Sequence, residues 1–202
     1  MPSETSVKEI LGKLVSFDTT SHKTNIPCAE WIRDYLAGHG IESTMLLAPD
    51  GIHANLFATI GSGSGPGIGL SGHMDVVPVT DQPWETDPFT MVERDGKLYG
   101  RGTTDMKGYL ACMLAIAPEL KRAKLSQPVH LVFSYDEEVG CTGVKGMIDE
   151  FDKSIPKPGI VFVGEPSMMT VVDAHKGGYR FDTVVTGKDA HSSKPQLGVG
   201  SI

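Results

Sequence analysis

A chain of 202 residues is long enough for one domain with a substantial core, or for part of a larger protein. Its formal net charge of -7 disfavours nucleic-acid binding and provides no polybasic patch for a membrane surface. No apolar run approaches membrane-spanning length, and the N-terminus lacks the basic and then apolar pattern of a secretory signal. The three cysteines lie far apart, which suits a reducing compartment. We therefore expect a cytoplasmic protein that binds neither nucleic acid nor a membrane.

Apolar residues recur with helical spacing in some segments and form short continuous runs in others. Helices are expected over residues 7–15, 27–37, 106–123 and 142–151. Strands are expected over residues 41–47, 53–60, 68–71, 129–135 and 159–163, with a short hairpin over residues 94–100. Because strands alternate with helices along the chain, the pattern predicts an α/β fold.

The glycine-rich tract at residues 61–67, GSGSGPG, resembles a dinucleotide-binding loop in composition. That motif must follow a strand and open a helix, whose N-terminus then holds the phosphates. Here another strand is expected directly after the tract, so we interpret the tract as a flexible turn.

The apolar run at residues 129–135 ends directly in three adjacent carboxylates, those of Asp136, Glu137 and Glu138. Ionised groups that lie side by side repel one another and are costly to bury without partners. In a solvated turn these residues would be ordinary. At the end of a buried strand they need a cation, so the tract suggests a metal site.

Other candidate ligands also follow expected strands. His73 and Asp75 come after one strand, Asp105 after the hairpin and Glu165 after the last strand. Taken singly, His73 suits a structural histidine and Asp105 suits a helix N-cap. In an open α/β sheet, however, sites gather at the carboxyl ends of strands, so we expect these side chains to share one cleft.

One histidine with several carboxylates and no thiolate suits zinc, cobalt or manganese better than calcium. One metal ion would leave carboxylates unused, so two ions bridged by a carboxylate fit the residue set better. On ligand types alone, a phosphoesterase would use a similar set.

The motifs SGHMDVVPV, LYGRGTTDMKGYLACMLA, FSYDEEVGC, GEPSMM and AHKGG resemble the acetylornithine deacetylase, succinyl-diaminopimelate desuccinylase and aminoacylase family of metallohydrolases. The strings GRGTTDMKG and SYDEEVGC are more similar to the acetylornithine deacetylase members than to their sister enzymes. The resemblance implies a zinc-hydrolase-like mixed sheet flanked by helices, together with the start of an inserted α+β lid or dimerisation domain.

The resemblance also implies roles for individual residues. His73 and Glu165 would bind one zinc ion, Asp105 would bridge two, and Glu138 would bind the second, with cobalt or manganese as alternatives. Glu137 would be the general base.

Two further positions carry implied roles. Asp75 would orient His73, and His191 would bind the carbonyl group of the substrate. A cis peptide bond is implied after Asp105.

The implied domains are residues 1–177, a catalytic domain incomplete at its C-terminal side, and residues 178–202, the truncated beginning of the lid. Residues 179–186 alternate in polarity as the first lid strand would. Family members are longer and supply a second-metal histidine near their C-terminus. We therefore expect this chain to be an inactive fragment of a protein that forms a homodimer at full length.

The implied substrate is a small N-acyl amino acid, and the implied reaction removes the acetyl group from N-acetylornithine. Within the family, the alternatives are succinyl-diaminopimelate desuccinylase, aminoacylase or dipeptidase activity. An inactive, non-catalytic relative is a further alternative, although such a relative would have no need of Glu137.

Overall fold

A computed structural model describes residues 4–174, 176–178 and 181–200. The chain divides into two compact units, Met1–Pro166 and Ser167–Ile202. Among the described residues, no helix is both long enough and apolar enough to cross a membrane.

Over its described residues, 4–166, the first unit contains four helices and seven strands. In chain order they are α1 (Glu4–Val15), α2 (Ile26–Gly38), β1 (Ser43–Leu47), β2 (Ala54–Ile60), β3 (Ile68–His73), β4 (Val92–Arg94), β5 (Lys97–Tyr99), α3 (Lys107–Arg122), β6 (Val129–Ser134), α4 (Val144–Ile148) and β7 (Ile160–Val163).

Five of the strands form one mixed sheet in the order β1-β2-β6-β3-β7, and β4 pairs with β5 in a separate hairpin. Strand β2 runs antiparallel to β1 and β6, whereas β3 runs parallel to β6 and β7. The carboxyl ends of β3, β6 and β7 therefore meet at the same edge of the sheet. The predicted α/β fold, a mixed sheet flanked by helices, is confirmed.

Alternate side chains of the central strands enter two apolar clusters. Leu131 and Phe133 of β6 join the larger cluster, which includes side chains of α1, α2 and α3. Val132, between them, joins a smaller cluster with Phe57 of β2 and Met147 of α4. Because successive side chains of a strand point to opposite faces, the two clusters lie on the two faces of the sheet.

The glycine-rich tract is a turn, as predicted, since it leads into β3 and not into a helix. Gly67 has a φ of 71°, and a Cβ atom there would lie 2.4 Å from the carbonyl oxygen of Pro128. Glycine is needed at this position for both its backbone conformation and the close approach.

The prediction of a helix over residues 142–151 is wrong in extent, because α4 covers only five residues. Gly146 lies inside this helix and lowers its intrinsic stability. The chain then turns, and Asp152 takes a left-handed conformation with a φ of 60°. Before that point, the backbone N–H groups of Glu150 and Phe151 already bond to carbonyls three residues back, so the α-helical hydrogen bonds stop although the apolar spacing continues.

The second unit contains a 3-10 helix at Pro195–Leu197 and a bridge between Lys188 and Val199. The strand predicted over residues 179–186 is not found in its described part, 181–186. Strands are defined by hydrogen bonds to a second segment, which an alternating sequence cannot supply by itself. The described residues do not include Tyr179, at the start of that segment. They also do not include His175, in the AHKGG motif.

The interior strand β2 should depend strongly on its core contacts. Leu56 is fully buried, so Leu56→Ala should lower the free energy of unfolding by about 2–5 kcal/mol through lost burial and a residual cavity. Leu47, in the edge strand β1, is 66% exposed, so Leu47→Ala should change it by no more than about 0.5 kcal/mol. Urea unfolding measures both, and equal losses would contradict this assignment of the core.

Candidate metal centre

Acidic side chains gather where the parallel strands end. His73 is the last residue of β3, Glu137 and Glu138 follow β6, and Glu165 follows β7. Asp105 comes from the loop before α3, after the separate hairpin of β4 and β5. Asp105 thus follows the hairpin, as predicted, but the hairpin lies outside the main sheet, and packing of α3 on β3 brings Asp105 to the site.

Close packing of α3 on β3 places Asp105 beside His73. A Cβ atom at Gly72 would lie 2.6 Å from the end of the Leu110 side chain and 2.7 Å from that of Met106, so a larger residue would displace these side chains. The peptide bond between Asp105 and Met106 is cis, as the family resemblance implied.

The imidazole of His73 forms the floor of the site. Its Nε2 atom lies 3.1 Å from Asp105 Oδ1, 3.7 Å from Glu137 Oε2 and 3.8 Å from Glu165 Oε1. The histidine side chain is 1% exposed, whereas the three carboxylates are 39–50% exposed. A buried ring nitrogen thus faces a partly solvated ring of acidic oxygens.

Two overlapping groups of side chains have the geometry of a metal site. His73, Glu137 and Glu165 form one group, and His73, Asp105 and Glu138 form the other, with ligand atoms within 4.8 Å of one another. All four candidate ligands therefore converge on one place. Glu137, the candidate base, lies as close to His73 Nε2 as Glu165 does.

The donor set requires a positive charge. His73 Nδ1 lies 2.9 Å from the main-chain carbonyl oxygen of Asp75, an acceptor, so this nitrogen carries a proton. Nε2 then faces only carboxylate oxygens, and its lone pair would repel them. A proton or a metal ion on Nε2 removes this repulsion, so the residues present fit a divalent cation.

The pKa shifts of the site residues also indicate that the site needs a positive charge. Burial disfavours the charged form of His73, but the hydrogen bond and charge of Asp75 and the charge of Glu165 outweigh burial and raise its pKa to about 9. Burial and the neighbouring charge of Asp105 raise the pKa of Glu138. Burial likewise raises the pKa of Glu165. Without a cation, the carboxylates hold their charges at a cost.

Asp75 is 2% exposed and connects His73 to the acidic turn. Its carboxylate accepts hydrogen bonds from the Ser21 hydroxyl at 2.8 Å and from the backbone N–H groups of Glu137 and Glu138 at 3.2 and 3.3 Å. His73 Nδ1 lies 3.4 Å from Oδ1 of the same carboxylate, so the main-chain carbonyl is its closer partner. Burial raises the pKa of Asp75, but the hydrogen bonds from His73 and Ser21 outweigh burial and lower it.

Lys107 is a structural member of the site that the sequence analysis missed. Its side chain is fully buried, and Nζ donates to the carbonyl oxygens of Leu14 at 3.0 Å and Phe17 at 2.8 Å. Burial lowers the pKa of Lys107 to about 8. These bonds hold the first turn of α3, and with it the Asp105 loop, against the end of α1. The signal was a lysine in the first turn of a helix that carries no other charge before Glu119.

A cavity of about 230 Å³ adjoins Asp105 and Glu138. Val77 and residues 100–104 form the rest of its wall. His191 belongs to the second unit, where Ser193 donates its backbone N–H to His191 Nδ1 at 3.2 Å.

Comparison with known proteins identifies similar sequences. The model of Peptidase family M20/M25/M40 matches residues 69–197. Acetylornithine deacetylase of Buchnera aphidicola subsp. Acyrthosiphon pisum (strain Tuc7) is 37% identical over 148 residues, which cover 73% of this chain and 38% of that protein. Acetylornithine deacetylase of Pasteurella multocida (strain Pm70) is 34% identical over 188 residues, covering 93% of this chain and 48% of that protein. The chain therefore spans less than half the length of these two relatives.

Solved structures share the fold at lower identity. Human carnosine dipeptidase 1 matches with a TM-score of 0.66 and 22% identity, over 78% of this chain and 37% of that one. A tripeptidase from Staphylococcus aureus matches with a TM-score of 0.68 and 21% identity, over 100% of this chain and 54% of that one. These matches concern the fold alone.

The acidic cluster should destabilise the metal-free protein at neutral pH. A raised folded-state pKa of a carboxyl group means that its stabilising contribution is present at low pH and is lost as the pH rises through that pKa. Metal-free Glu138→Gln should therefore unfold at a higher temperature than the metal-free wild type at pH 7, and the difference should shrink toward about pH 4.

Thermal unfolding with a chelator present measures this difference. Glu42→Gln, at an exposed position outside the site, is the matched control and should leave the midpoint unchanged. A lower midpoint for Glu138→Gln at pH 7 would show that repulsion in the cluster is not significant.

Proposed function

The chain belongs to Peptidase family M20/M25/M40, and we propose that the protein is a metal-dependent amide hydrolase that removes the acetyl group from N-acetylornithine. The observation that carries the proposal is the buried His73 Nε2 atom facing carboxylates from several parts of the chain. The relatives named acetylornithine deacetylase, at 34–37% identity, support the choice of substrate.

We propose zinc as the metal, with cobalt and manganese as alternatives. His73 and Glu165 would hold one ion, Asp105 would be shared, and Glu138 would contribute to a second. When bound, such ions supply Lewis-acid polarisation of the amide carbonyl and acidify water. The His73 ring is held for this role by the main-chain carbonyl and the carboxylate of Asp75.

Glu137 is the proposed general base. Its backbone N–H is fixed by Asp75, while its carboxylate is 39% exposed at the mouth of the site. Its Oε2 atom would accept a proton from the attacking water and later transfer it to the leaving amine nitrogen as the amide C–N bond breaks. Both proton transfers require a carboxylate that is accessible to the water and to the substrate, and the partial exposure of Glu137 meets this requirement.

The proposed substrate class is a small N-acyl amino acid. Desuccinylase, aminoacylase and dipeptidase activities use the same chemistry on other acyl groups and amines, so a substrate panel must separate them. We also propose, from the family resemblance, that His191 contacts the substrate carbonyl and that the protein acts as a cytoplasmic homodimer in which residues 178–202 begin the lid.

The reaction is tested by amine release at the protein's full natural length. With zinc, N-acetylornithine should be hydrolysed faster than N-succinyl-diaminopimelate, other N-acyl amino acids, dipeptides and a phosphoester, and a chelator should abolish turnover. A preference for another amide would revise the substrate and keep the chemistry. Hydrolysis of the phosphoester alone, or of none of these compounds, would contradict the proposal.

Replacing the two adjacent glutamates should separate the base from the ligand. Glu137→Ala should retain zinc and lose turnover by about 100-fold or more, since it removes proton transfer. Glu138→Ala should weaken zinc binding as well, because it removes a ligand. Zinc content after dialysis and the rate of amine release measure the two effects. Equal loss of zinc in both variants would show that Glu137 is a ligand.

A further inference from the structure

The loop between α1 and α2 runs beside the segment that carries Asp75. Thr20 forms a parallel bridge with Val76, and the backbone N–H of Ser21 donates to the Val76 carbonyl at 3.2 Å. The Thr19 hydroxyl donates to the carbonyl of Met74 at 2.6 Å. These contacts place the Ser21 hydroxyl 2.8 Å from Asp75 Oδ2. The position of Asp75 therefore depends on the position of this loop.

His53 forms hydrogen bonds to the backbone of the loop between α1 and α2. Its side chain is 8% exposed, and Nε2 lies 3.1 Å from the Ser21 carbonyl oxygen and 2.9 Å from that of Lys23. Nδ1 lies 2.6 Å from Asp50 Oδ2. All three partners are acceptors, so both ring nitrogens donate and the ring is an imidazolium. A neutral ring would turn one of these contacts into a repulsion between lone pairs.

The same ring contacts the acidic turn. The rings of His53 and Tyr135 stack with centroids 5.0 Å apart and an angle of 3° between their planes. Tyr135 comes immediately before Asp136, Glu137 and Glu138 in the chain. His53 therefore touches the α1–α2 loop with its edge and the base of the acidic turn with its face.

We propose that His53, acting through Ser21, is a positioning residue for the Asp75 carboxylate and thereby for the backbone of Glu137 and Glu138. The hydrogen-bond path runs from Asp50 through His53 and Ser21 to Asp75. Its catalytic consequence rests on the proposed amide hydrolysis, whereas its effect on the geometry of the turn does not.

The charges around the ring determine how the path responds to pH. Burial opposes protonation of His53, but the hydrogen bond and charge of Asp50, with the charge of Asp136, outweigh it and raise the pKa. The Lys23 ammonium group pairs with Asp18, and burial raises the pKa of the Tyr135 phenol, which therefore stays neutral. The contribution of the imidazolium is thus fully present below the unfolded-state pKa of histidine, about 6.5, and is lost as the pH rises through the higher folded-state pKa.

Backbone amide NMR of the metal-free protein tests the path directly. Between pH 5 and 10, the Glu137 and Glu138 amide resonances should follow the titration of the His53 ring. The His53→Gln variant should lack that transition, and the difference from the wild type separates it from the titration of His73. Asp50→Asn, at an exposed position, should move the transition to lower pH because it removes the neighbouring negative charge.

Ser21→Ala removes one oxygen and leaves every His53 contact in place, so it tests the path even if His53→Gln folds poorly. It should keep the His53 titration and weaken its effect on the two amides. The matched controls are Ser16→Ala, whose hydroxyl donates to the Lys13 carbonyl, and His130→Gln, a buried histidine held by Thr59 and Pro66. Neither control should alter the coupling.

Steady-state kinetics test the consequence for hydrolysis. Ser21→Ala and His53→Gln should lower kcat about 10-fold, with KM changed by less than about 3-fold, because the contacts lie behind the reacting groups. An absence of hydrolysis in the wild type would contradict the proposed function and leave the NMR test intact. The positioning role would be overturned if the amide titrations in His53→Gln were identical to those in the wild type. It would also be overturned if Ser21→Ala kept both the wild-type kcat and the wild-type response of the two amides to the His53 titration.

Discussion

A buried carboxylate must be supplied with donors, and this requirement of Asp75 organises the site. An ionised group with 2% exposure would be severely destabilising without hydrogen bonds. The donors that satisfy Asp75 come from separate parts of the chain: Ser21 between α1 and α2, and the backbone of Glu137 and Glu138 after β6. Satisfying one buried charge therefore brings together segments that no local interaction would join.

The partly exposed carboxylates impose the opposite constraint. Asp105, Glu138 and Glu165 lie around one histidine nitrogen, and burial raises the pKa of the last two. Hydrogen bonds cannot relieve this repulsion as they do for Asp75, because the facing groups are themselves acceptors. A cation is the remaining solution. The site thus contains two kinds of carboxylate. Asp75 receives its hydrogen bonds from the protein, whereas Asp105, Glu138 and Glu165 need a bound cation.

Much of the fold could be predicted from the sequence because its signals are local. The apolar run of β6 and the helical stripe of α3 each lie within one segment, and both elements were predicted within two residues of their observed ends. The extent of α4 was predicted wrongly, because it depends on backbone conformation. The strand predicted over residues 179–186 is absent from its described part, 181–186, because a strand depends on a pairing partner.

The residues of the candidate site also differ in whether a local sequence signal could identify them. His73 and the acidic residues stood out because charges directly after apolar runs are unusual in any sequence. No such signal marked Ser21, His53 or Lys107, because each of them acts through a contact with a residue that is distant in the chain. The Ser21 hydroxyl and Asp75 are 54 positions apart, and Lys107 and Leu14 are 93 apart. A serine in a polar loop carries no sign that it faces a buried carboxylate.

Glu137 shows how these constraints serve the proposed chemistry. A general base must be held within hydrogen-bond reach of the reacting atoms, yet its carboxylate must be free to exchange a proton with them. Asp75 holds the backbone of Glu137 and leaves the side chain 39% exposed, with Cys141 Sγ 3.7 Å from Oε1 as a weak partner. Fixing a base through its main chain gives it a defined position without consuming its acceptor oxygens. The buried Asp75 carboxylate can supply that restraint because its own hydrogen bonds hold it away from water.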